Sequence, residues 1–258
     1  MKKYINLTAS HLKILAVLSM AVDHFGDVFL DSGTPLYIAC RIFGRLAFPL
    51  FCFLLTEGFR YTKSREKYFL RLIAFAAISE IPYNLAFDKT VLEKGSLNVF
   101  FTLALGFAAM WAVESVKNKI LGISTAFVCM VAAELLGTDY GWYGVAVILI
   151  FYLLRDRREI ALFAFILLTL AHSLVGFWLL LAKAAKKAEM SPEALFRAYG
   201  YRFIDIPLRF CRQIFAGFAA VPIILYNGKK GFLKLKYFFY VFYPAHLLAY
   251  YLLWRIFG

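Results

Sequence analysis

Apolar residues fall into nine long runs separated by shorter polar stretches. A bilayer-spanning helix needs about 20 mostly apolar residues, and only helices and closed barrels satisfy their own backbone hydrogen bonds in lipid. The pattern therefore predicts an all-α fold, a polytopic membrane helix bundle of about nine transmembrane helices, with a range of about eight to ten. The runs cover residues 10–30, 39–59, 68–86, 97–113, 119–136, 140–154, 160–182, 208–226 and 237–257.

The composition indicates that lipid is the solvent. Hydrophobic residues make up 62% of the 258 residues, and the mean hydropathy is +0.71. A soluble domain carries about 45–50% apolar residues. No polar stretch is long enough to fold a core of its own, so residues 1–258 are expected to form a single integral membrane domain. The four cysteines lack disulfide or metal-ligand spacing, and no metal is expected.

The net charge of +13 would suggest nucleic acid as a partner if the protein were soluble. Here Lys and Arg gather in short loops, where they set membrane orientation and contact anionic lipid headgroups. The expected partner is therefore the lipid bilayer and not nucleic acid. Because the larger share of the 29 basic residues falls on one side, the sequence predicts a multi-pass protein of the cytoplasmic membrane with a cytoplasmic N-terminus.

Residues 183–209 break this pattern, because they are basic but fall on the predicted outer side. Ser191 as N-cap, Pro192 at the first position, Glu193 in the first turn and Gly200 as a stop predict a short helix. Its basic, amphipathic character predicts a helix lying on the membrane surface. If the segment is cytoplasmic instead, the seventh run is re-entrant or the helix count differs by one.

Ionisable side chains inside membrane helices are costly and point to a functional centre. The first run contains Asp23, His24 and Asp27. Asp27 lies four residues after Asp23 and three after His24, so one polar patch can hold all three. A histidine beside carboxylates suits general base catalysis. A histidine that only bonds to a neighbouring helix would explain these residues equally well.

Other polar residues fall at the same predicted depth as His24 and predict a polar cavity open to the outside. They are Arg41, Arg45, Glu80, Asn84, Asn98, Thr102, Asp139, Tyr140, Trp142 and Tyr143. Individual members have simpler explanations: Arg45 can neutralise Glu80 or Asp23, and the aromatic residues can form an interfacial belt. Tyr243 and His246 share a face of the last run. They are predicted in the inner half, to line a donor channel or to bond across helices, whereas His172 is assigned to packing.

The predicted inner side carries charged residues flanking two loops. They include Glu57, Arg60, Lys63, Arg65, Lys67, Arg71, Lys229, Lys230, Lys234 and Lys236. Such a run usually sets topology, but Arg and Lys also bind phosphate through charge-assisted hydrogen bonds. Both interpretations remain open at this point.

Several stretches together resemble the TraX family. They are Asp23-His24, GRLAFPLFCFLLTEGFRYTKS from Gly44, SEIPYNLAF from Ser79, NVFFTL from Asn98, DYGWYGV from Asp139, LYNGKKG from Leu225 and KYFFYVFYPAHL from Lys236. The resemblance covers almost the whole chain except 183–209, and Asp27 is outside its pattern. It implies an acetyl-CoA-dependent membrane acetyltransferase, a family whose founding member is tied to N-terminal acetylation of a conjugative pilin. The matching motif positions are Asp23, His24, Arg45, Glu57, Arg60, Glu80, Asn98, Asp139, Tyr143, Tyr243 and His246.

The resulting hypothesis is an acetyl transfer from cytoplasmic acetyl-CoA to an amine or hydroxyl of a pilin N-terminus, glycan or lipid. His24 would be the base, Asp23 or Asp27 would orient it, and Arg45 or Asn98 would stabilise the oxyanion. The donor phosphates would lie on Glu57, Arg60, Arg65, Lys67, Lys229 and Lys230. A small transporter with an Asp23, His24 and Glu80 relay is the alternative. An accessory membrane protein without chemistry is a third class, which leaves the buried charges unexplained.

Overall fold

The computed structural model describes residues 6–32, 34–91, 96–189, 191, 212–232 and 237–257. Throughout these residues the fold is helical, and the only β-structure described consists of two isolated bridges. The helices are α1 (Ala9–Phe29), α2 (Pro35–Gly44), α3 (Ala47–Tyr61), α4 (Arg65–Phe87), α5 (Val99–Ser115), α6 (Lys119–Leu135), α7 (Gly141–Leu153), α8 (Arg158–Lys187), a 3₁₀ helix (Arg212–Ala219), α9 (Ala220–Ile224) and α10 (Phe238–Phe257).

The predicted all-α membrane bundle is confirmed. Three helical segments are long and apolar enough to cross a membrane, namely Pro35–Tyr61, Arg65–Phe87 and Arg158–Lys187. Shorter apolar helices are Val99–Ser115, Gly141–Leu153 and Arg212–Ile224. When α2 is taken with α3 and the 3₁₀ helix with α9, each of the nine apolar runs corresponds to one helical segment in the described part of the chain.

Two runs that the sequence predicts as single helices are interrupted. The second run breaks between α2 and α3, because Pro49 has no N–H to donate to the Arg45 carbonyl and its ring crowds that carbonyl. The eighth run begins as a 3₁₀ helix and becomes α-helical only at Ala220. Pro222 likewise leaves the Phe218 carbonyl without its helical partner, which favours the tighter 3₁₀ turn before it.

The predicted end of the seventh run is also wrong. The run was expected to stop at residue 182, but α8 continues to Lys187. The first five residues of the predicted surface segment 183–209 therefore extend a long apolar helix. Residues 190 and 192–209, with Pro192, Glu193 and Gly200 of the predicted surface helix, lie outside the described residues.

Short connections reverse the chain between successive apolar runs from α1 to α8, so these loops gather at two ends of the bundle. At the N-terminal end, where α1 begins, the Leu7 N–H donates to the Leu225 carbonyl at 3.0 Å. At the opposite end, here called the far end, the Leu97 N–H donates to the Gly137 carbonyl at 2.9 Å. That the N-terminal end faces the cytoplasm stays a prediction.

The first and last helices pack side by side in the same direction. Lys13 lies over the ring of Phe239 near the start of both helices. His24 and His246 meet further along, and Phe29 contacts Tyr250 near the far end. This parallel pairing brings residues more than 200 positions apart in sequence to the same depth.

Candidate functional site

His24 and His246 form a hydrogen-bonded pair, here called the histidine pair. His24 Nδ1 lies 2.7 Å from His246 Nε2, and His246 Nδ1 lies 2.7 Å from the Phe242 carbonyl oxygen. His246 is buried, whereas His24 is half-buried and packs edge-on against Phe87 and Tyr243. Sequence reasoning placed His246 in the inner half, away from His24. That placement is wrong, because α10 runs parallel to α1 and brings the two rings to one depth.

Asp23 binds two arginines and not His24. Its carboxylate lies 2.9 Å from Arg45 Nη2 and 3.1 Å from Arg41 Nη1. Arg41 Nη1 also lies 3.2 Å from the carboxylate of Asp27. These four residues, Asp23, Asp27, Arg41 and Arg45, are here called the arginine cluster. Its side chains are largely buried except for Asp27, whose side chain is 33% exposed.

The expectation that Asp23 or Asp27 orients His24 is therefore wrong in this structure. Neighbours in a helix point about 100° apart, so Asp23 faces α2 while His24 faces α10. The carboxylates satisfy guanidinium groups, and the hydrogen-bond partner of His24 is a second imidazole. Of the predicted catalytic set, Asp23, Asp27 and Arg45 lie in the arginine cluster. Asp23 and Asp27 are close to His24 in sequence, but their carboxylates bind arginines and not its ring.

Glu80 and Asn98 also form a pair, on the neighbouring side of the bundle. Asn98 donates from its side-chain amide to Glu80 Oε2 and to the Ala76 carbonyl, and its Oδ1 accepts from the Phe100 N–H. Both amide protons of Asn98 are thus used in tying α4 to the start of α5. This leaves Asn98 with no proton for an oxyanion, which contradicts that predicted role.

The same contacts contradict the relay proposed for a transporter. Asp23 bonds to arginines, His24 to His246 and Glu80 to Asn98. In the described part of the chain, no hydrogen bond joins any two of Asp23, His24 and Glu80. Asn84 lies buried one turn beyond Glu80; it donates to the Val91 carbonyl at 3.4 Å, and its Oδ1 is buried without a partner among the described residues.

A second chain of hydrogen bonds leads from the arginine cluster into the bundle. Arg45 Nη1 donates to Gln213 Oε1 at 3.3 Å, and Gln213 donates to the Tyr143 hydroxyl at 3.4 Å. The Tyr143 hydroxyl lies 2.9 Å from Thr169 Oγ1. His172 stacks on Tyr143 with ring centroids 4.4 Å apart. Sequence reasoning missed Gln213, because it is one polar residue at the start of an otherwise apolar run.

Thr102 and Asp139 complete the polar residues near the far end. Thr102 is buried and accepts from the Tyr140 N–H at 3.4 Å. Asp139 follows α6, is exposed, and interacts electrostatically with Arg45 and Asp23. Tyr243 is buried between His24 and Phe100. The far half of the bundle thus contains two adjoining polar centres, the histidine pair and the arginine cluster.

The N-terminal end carries two adjoining recesses that share Arg60 and Arg155. The first recess, of about 160 Å³, is also lined by Glu57, Arg158 and an apolar floor that includes Phe53 and Phe151. The second recess, of about 240 Å³, is also lined by Arg65, Glu114, Tyr152 and Asp156. Glu57, Arg60 and Arg65 of the predicted donor site line these recesses, whereas Lys67, Lys229 and Lys230 line neither.

Most charged groups around the recesses have an ion-pair or hydrogen-bond partner, and Arg60 is the exception among the described residues. Arg65 Nη2 lies 2.6 Å from Glu114, and Arg158 donates to the Tyr226 carbonyl, while the Tyr226 hydroxyl donates to Glu57 at 3.0 Å. Arg60 is exposed, its guanidinium lies 5.6 Å from the centroid of the Tyr61 ring, and it makes no ion pair among the described residues. The sequence analysis did not single out Arg155 and Arg158, because a basic loop gives no sign that a recess opens beside it.

Comparison with known proteins identifies the family of this chain. The family model described as TraX protein matches residues 8–254. The chain belongs to the TraX family. The match includes α1 and most of α10, which supply the histidine pair, and all of the arginine cluster.

Two relatives of this TraX family chain have been identified among curated proteins. A probable fimbrial assembly protein FimC, serogroup H1, of Dichelobacter nodosus is 32% identical over 96% of each chain. An uncharacterized protein of Rickettsia prowazekii (strain Madrid E) is 26% identical over 63% of each chain. No solved structure matches the chain.

Proposed function

We propose that this protein is a membrane acetyltransferase that moves an acetyl group from acetyl-CoA to an amine or hydroxyl acceptor. The observation that carries the proposal is the second ring nitrogen of His24. Nε2 makes no hydrogen bond with the described residues and is not fully buried, although its ring is held on the other side by His246. A positioned imidazole nitrogen that is open to a substrate is what general base catalysis requires.

The reaction would proceed by direct transfer. The acceptor nitrogen or oxygen attacks the thioester carbonyl and passes its proton to His24 Nε2. The carbon–sulfur bond then breaks, and the CoA thiolate takes the proton from His24, which returns the imidazole to its starting state. General base help of this kind contributes about 10²–10⁴-fold to a rate.

Arg45 is the better candidate for stabilising the oxyanion, since Asn98 has no free amide proton. The Arg45 guanidinium uses its Nε and both Nη atoms in contacts with Arg41, Gln213 and Asp23. Five N–H groups are available in a guanidinium, so the contacts that fix its plane still leave a proton on Nη1. A donor that is already fixed loses little entropy in the transition state.

The donor would bind at the N-terminal end. Arg60 and Arg155 border both recesses, and arginine is well suited to phosphate recognition. α1 begins at Ala9, and His24 lies 15 residues further on. At about 1.5 Å per residue the acyl arm would have to reach about 22 Å into the bundle. That distance suits a donor whose charged portion stays at the surface while a narrow arm enters.

The acceptor we propose is the N-terminal amine of a subunit of a cell-surface fibre. The support is the name of the Dichelobacter nodosus relative, a probable fimbrial assembly protein that aligns along 96% of both chains. A surface glycan or a lipid headgroup would supply the same nucleophile classes, an amine or a hydroxyl, so the experiment includes all three.

The test uses purified protein in lipid nanodiscs with acetyl-labelled acetyl-CoA and three acceptors: a peptide with a free N-terminus, an amino sugar and an aminophospholipid. We expect CoA release with label on one acceptor, and a loss of about 10²-fold or more in His24→Ala. His11→Gln is the matched control, because glutamine at that capping position keeps the capping box of α1. Full activity of His24→Ala would remove His24 from the mechanism. No CoA release with any acceptor, from protein that keeps its unfolding transition, would overturn the proposal.

A further inference from the structure

The two imidazole rings of the histidine pair meet edge to edge in one plane. Their interplanar angle is 5° and their centroids are 5.0 Å apart, while the nearest nitrogens are 2.7 Å apart. The centroid separation equals the nitrogen–nitrogen distance plus about one ring diameter, that is, one centroid-to-nitrogen distance in each ring. The two nitrogens must therefore lie on the line that joins the two centroids. The hydrogen bond therefore lies in the plane of both rings, along the lone-pair direction that a strong bond prefers.

The contacts of His246 fix which atoms carry protons. A carbonyl oxygen can only accept, so the 2.7 Å contact with the Phe242 carbonyl requires a proton on His246 Nδ1. In the neutral ring His246 Nε2 is then an acceptor, and His24 must donate to it from Nδ1. A neutral His24 with its proton on Nδ1 carries a lone pair on Nε2, the atom that has no hydrogen-bond partner among the described residues.

We propose that His246 is a positioning residue that sets the tautomer of His24 and thereby aims its Nε2 lone pair at the acceptor. The chain of donors runs from His24 Nδ1 to His246 Nε2 and from His246 Nδ1 to the Phe242 carbonyl, so one backbone oxygen of α10 determines the reactive atom on α1. The catalytic part of this inference rests on the proposed acetyl transfer; the tautomer itself does not.

The histidine pair also explains how the His24 ring can be held in place without a carboxylate beside it. A second imidazole holds the ring as a carboxylate would, but it carries no fixed negative charge. When His24 Nε2 takes the proton of the acceptor, the proton on Nδ1 can move to His246 Nε2, and the positive charge moves one ring further from Arg41 and Arg45. The reverse shift follows when His24 returns its proton to the departing thiolate, so protons balance over the cycle.

The first test reads the tautomer directly, by ¹⁵N magic-angle-spinning NMR of histidine-labelled protein in lipid bilayers. The chain has 4 histidines, so single variants assign every resonance. We expect His24 with a protonated Nδ1 and an unprotonated Nε2. In His246→Leu, which has no acceptor, we expect the His24 pattern to change. In His246→Gln, whose carbonyl can still accept, we expect it to persist. His11→Gln is the control and should leave the His24 resonances in place.

The second test separates positioning from folding. With acetyl-CoA and the acceptor that the wild type uses, kcat should fall about 10²-fold or more in His246→Leu with KM little changed, and His246→Gln should recover most of it. Loss of the correct tautomer in a Ser-His-Asp triad lowers kcat by about 10⁴-fold. A wild-type His24 protonated on Nε2, or a His24 spectrum that His246→Leu leaves unchanged, would overturn the inference. A correct tautomer without any acetyl transfer would overturn the proposed function alone.

Discussion

The carboxylate of Asp23 lies between two guanidinium groups, and these two ion pairs determine its structural role. Its side chain is 10% exposed, and Arg41 and Arg45 are each 16% exposed. A charge in such surroundings is stable only with its partner, because removal of one member leaves the other buried and uncompensated. Asp23 therefore stabilises the junction of α1 and α2 and holds the Arg45 guanidinium in place, without touching His24.

Asp23→Asn is expected to lower the free energy of unfolding by about 3–5 kcal/mol, since two buried arginines lose their shared counter-charge. Asp27→Asn is the matched control: the side chain of Asp27 is 33% exposed, and a partly solvated ion pair is worth about 0–1 kcal/mol. The measurement is the denaturant unfolding of each variant in the same detergent. Equal effects of the two substitutions would contradict the central place given to Asp23.

At the residue scale the sequence predicted which side chains lie in the same region of the bundle. It predicted less well which of them form hydrogen bonds or ion pairs with one another. The concentration of Asp23, His24 and Arg45 in one region follows from their spacing and from the cost of charges in lipid. The partner of His24 could not be predicted, because the neighbour of α1 in the last helix is decided by packing across the whole chain. Asp23 had two plausible partners within reach, and helix rotation decided in favour of the arginines.

The crossing of α1 and α2 depends on two glycines where the backbones come close. A Cβ on Gly44 would overlap the side chain of Asp23, and a Cβ on Gly26 would lie 2.7 Å from Cys40 Cβ. Small residues let membrane helices approach in this way. Gly44 also directly precedes Arg45, so the close approach and the ion pair belong to the same junction.

Gly44→Ala is expected to destabilise the protein by about 1–3 kcal/mol, because the added methyl group must displace Asp23 from its arginines. Gly176→Ala in α8 is the control: a methyl group added there would have no neighbouring atom of the described residues within 4 Å, and alanine favours the helix by about 0.5–1 kcal/mol. Thermal unfolding in detergent compares the two. A Gly44→Ala variant as stable as Gly176→Ala would mean that α1 and α2 can separate without loss.

At the element scale the apolar runs predicted the helices to within a few residues, as for 68–86 against Arg65–Phe87 and 237–257 against Phe238–Phe257. Hydrophobic length alone cannot reveal an interruption inside a run, and both interruptions lie beside a proline whose effect depends on local packing. The extension of α8 to Lys187 was missed because three lysines follow its apolar part, although a long lysine side chain can keep its charge in the interface.

The whole molecule divides its polar residues between two ends with different chemistry. Near the far end, the histidine pair and the ion pairs of the arginine cluster are held by contacts among themselves. At the N-terminal end, Arg60 has no ion-pair partner in the described part of the chain and lies beside the two recesses. This asymmetry agrees with a general base at one depth and a phosphate-bearing donor at another. The distribution of charged residues among the loops already predicted that the two ends would differ. The recesses themselves are lined by residues from several helices, including α3, α7 and α8, and the sequence does not encode such a meeting locally.

Arg60→Ala and Arg155→Ala are each expected to raise the KM for acetyl-CoA about tenfold, which corresponds to about 1.4 kcal/mol for one lost charge-assisted contact. kcat should change little, because neither side chain lies near His24. Lys117→Ala removes a positive charge from an exposed loop at the same end, outside both recesses, and should leave KM unchanged. A tenfold rise in this control as well would show a general surface-charge effect instead of a binding site.

The floor of the first recess has a consequence for the membrane as an insulator. Phe53 meets Phe151 edge-on, Phe151 packs on Phe165, and Phe165 lies one helical turn before Thr169 in the hydrogen-bonded chain that reaches Arg45. A continuous wet path between the two ends would short-circuit the voltage across a bilayer. The contacting rings of Phe53, Phe151 and Phe165 place an apolar barrier between the first recess and that chain, so we expect no ion conduction along this line.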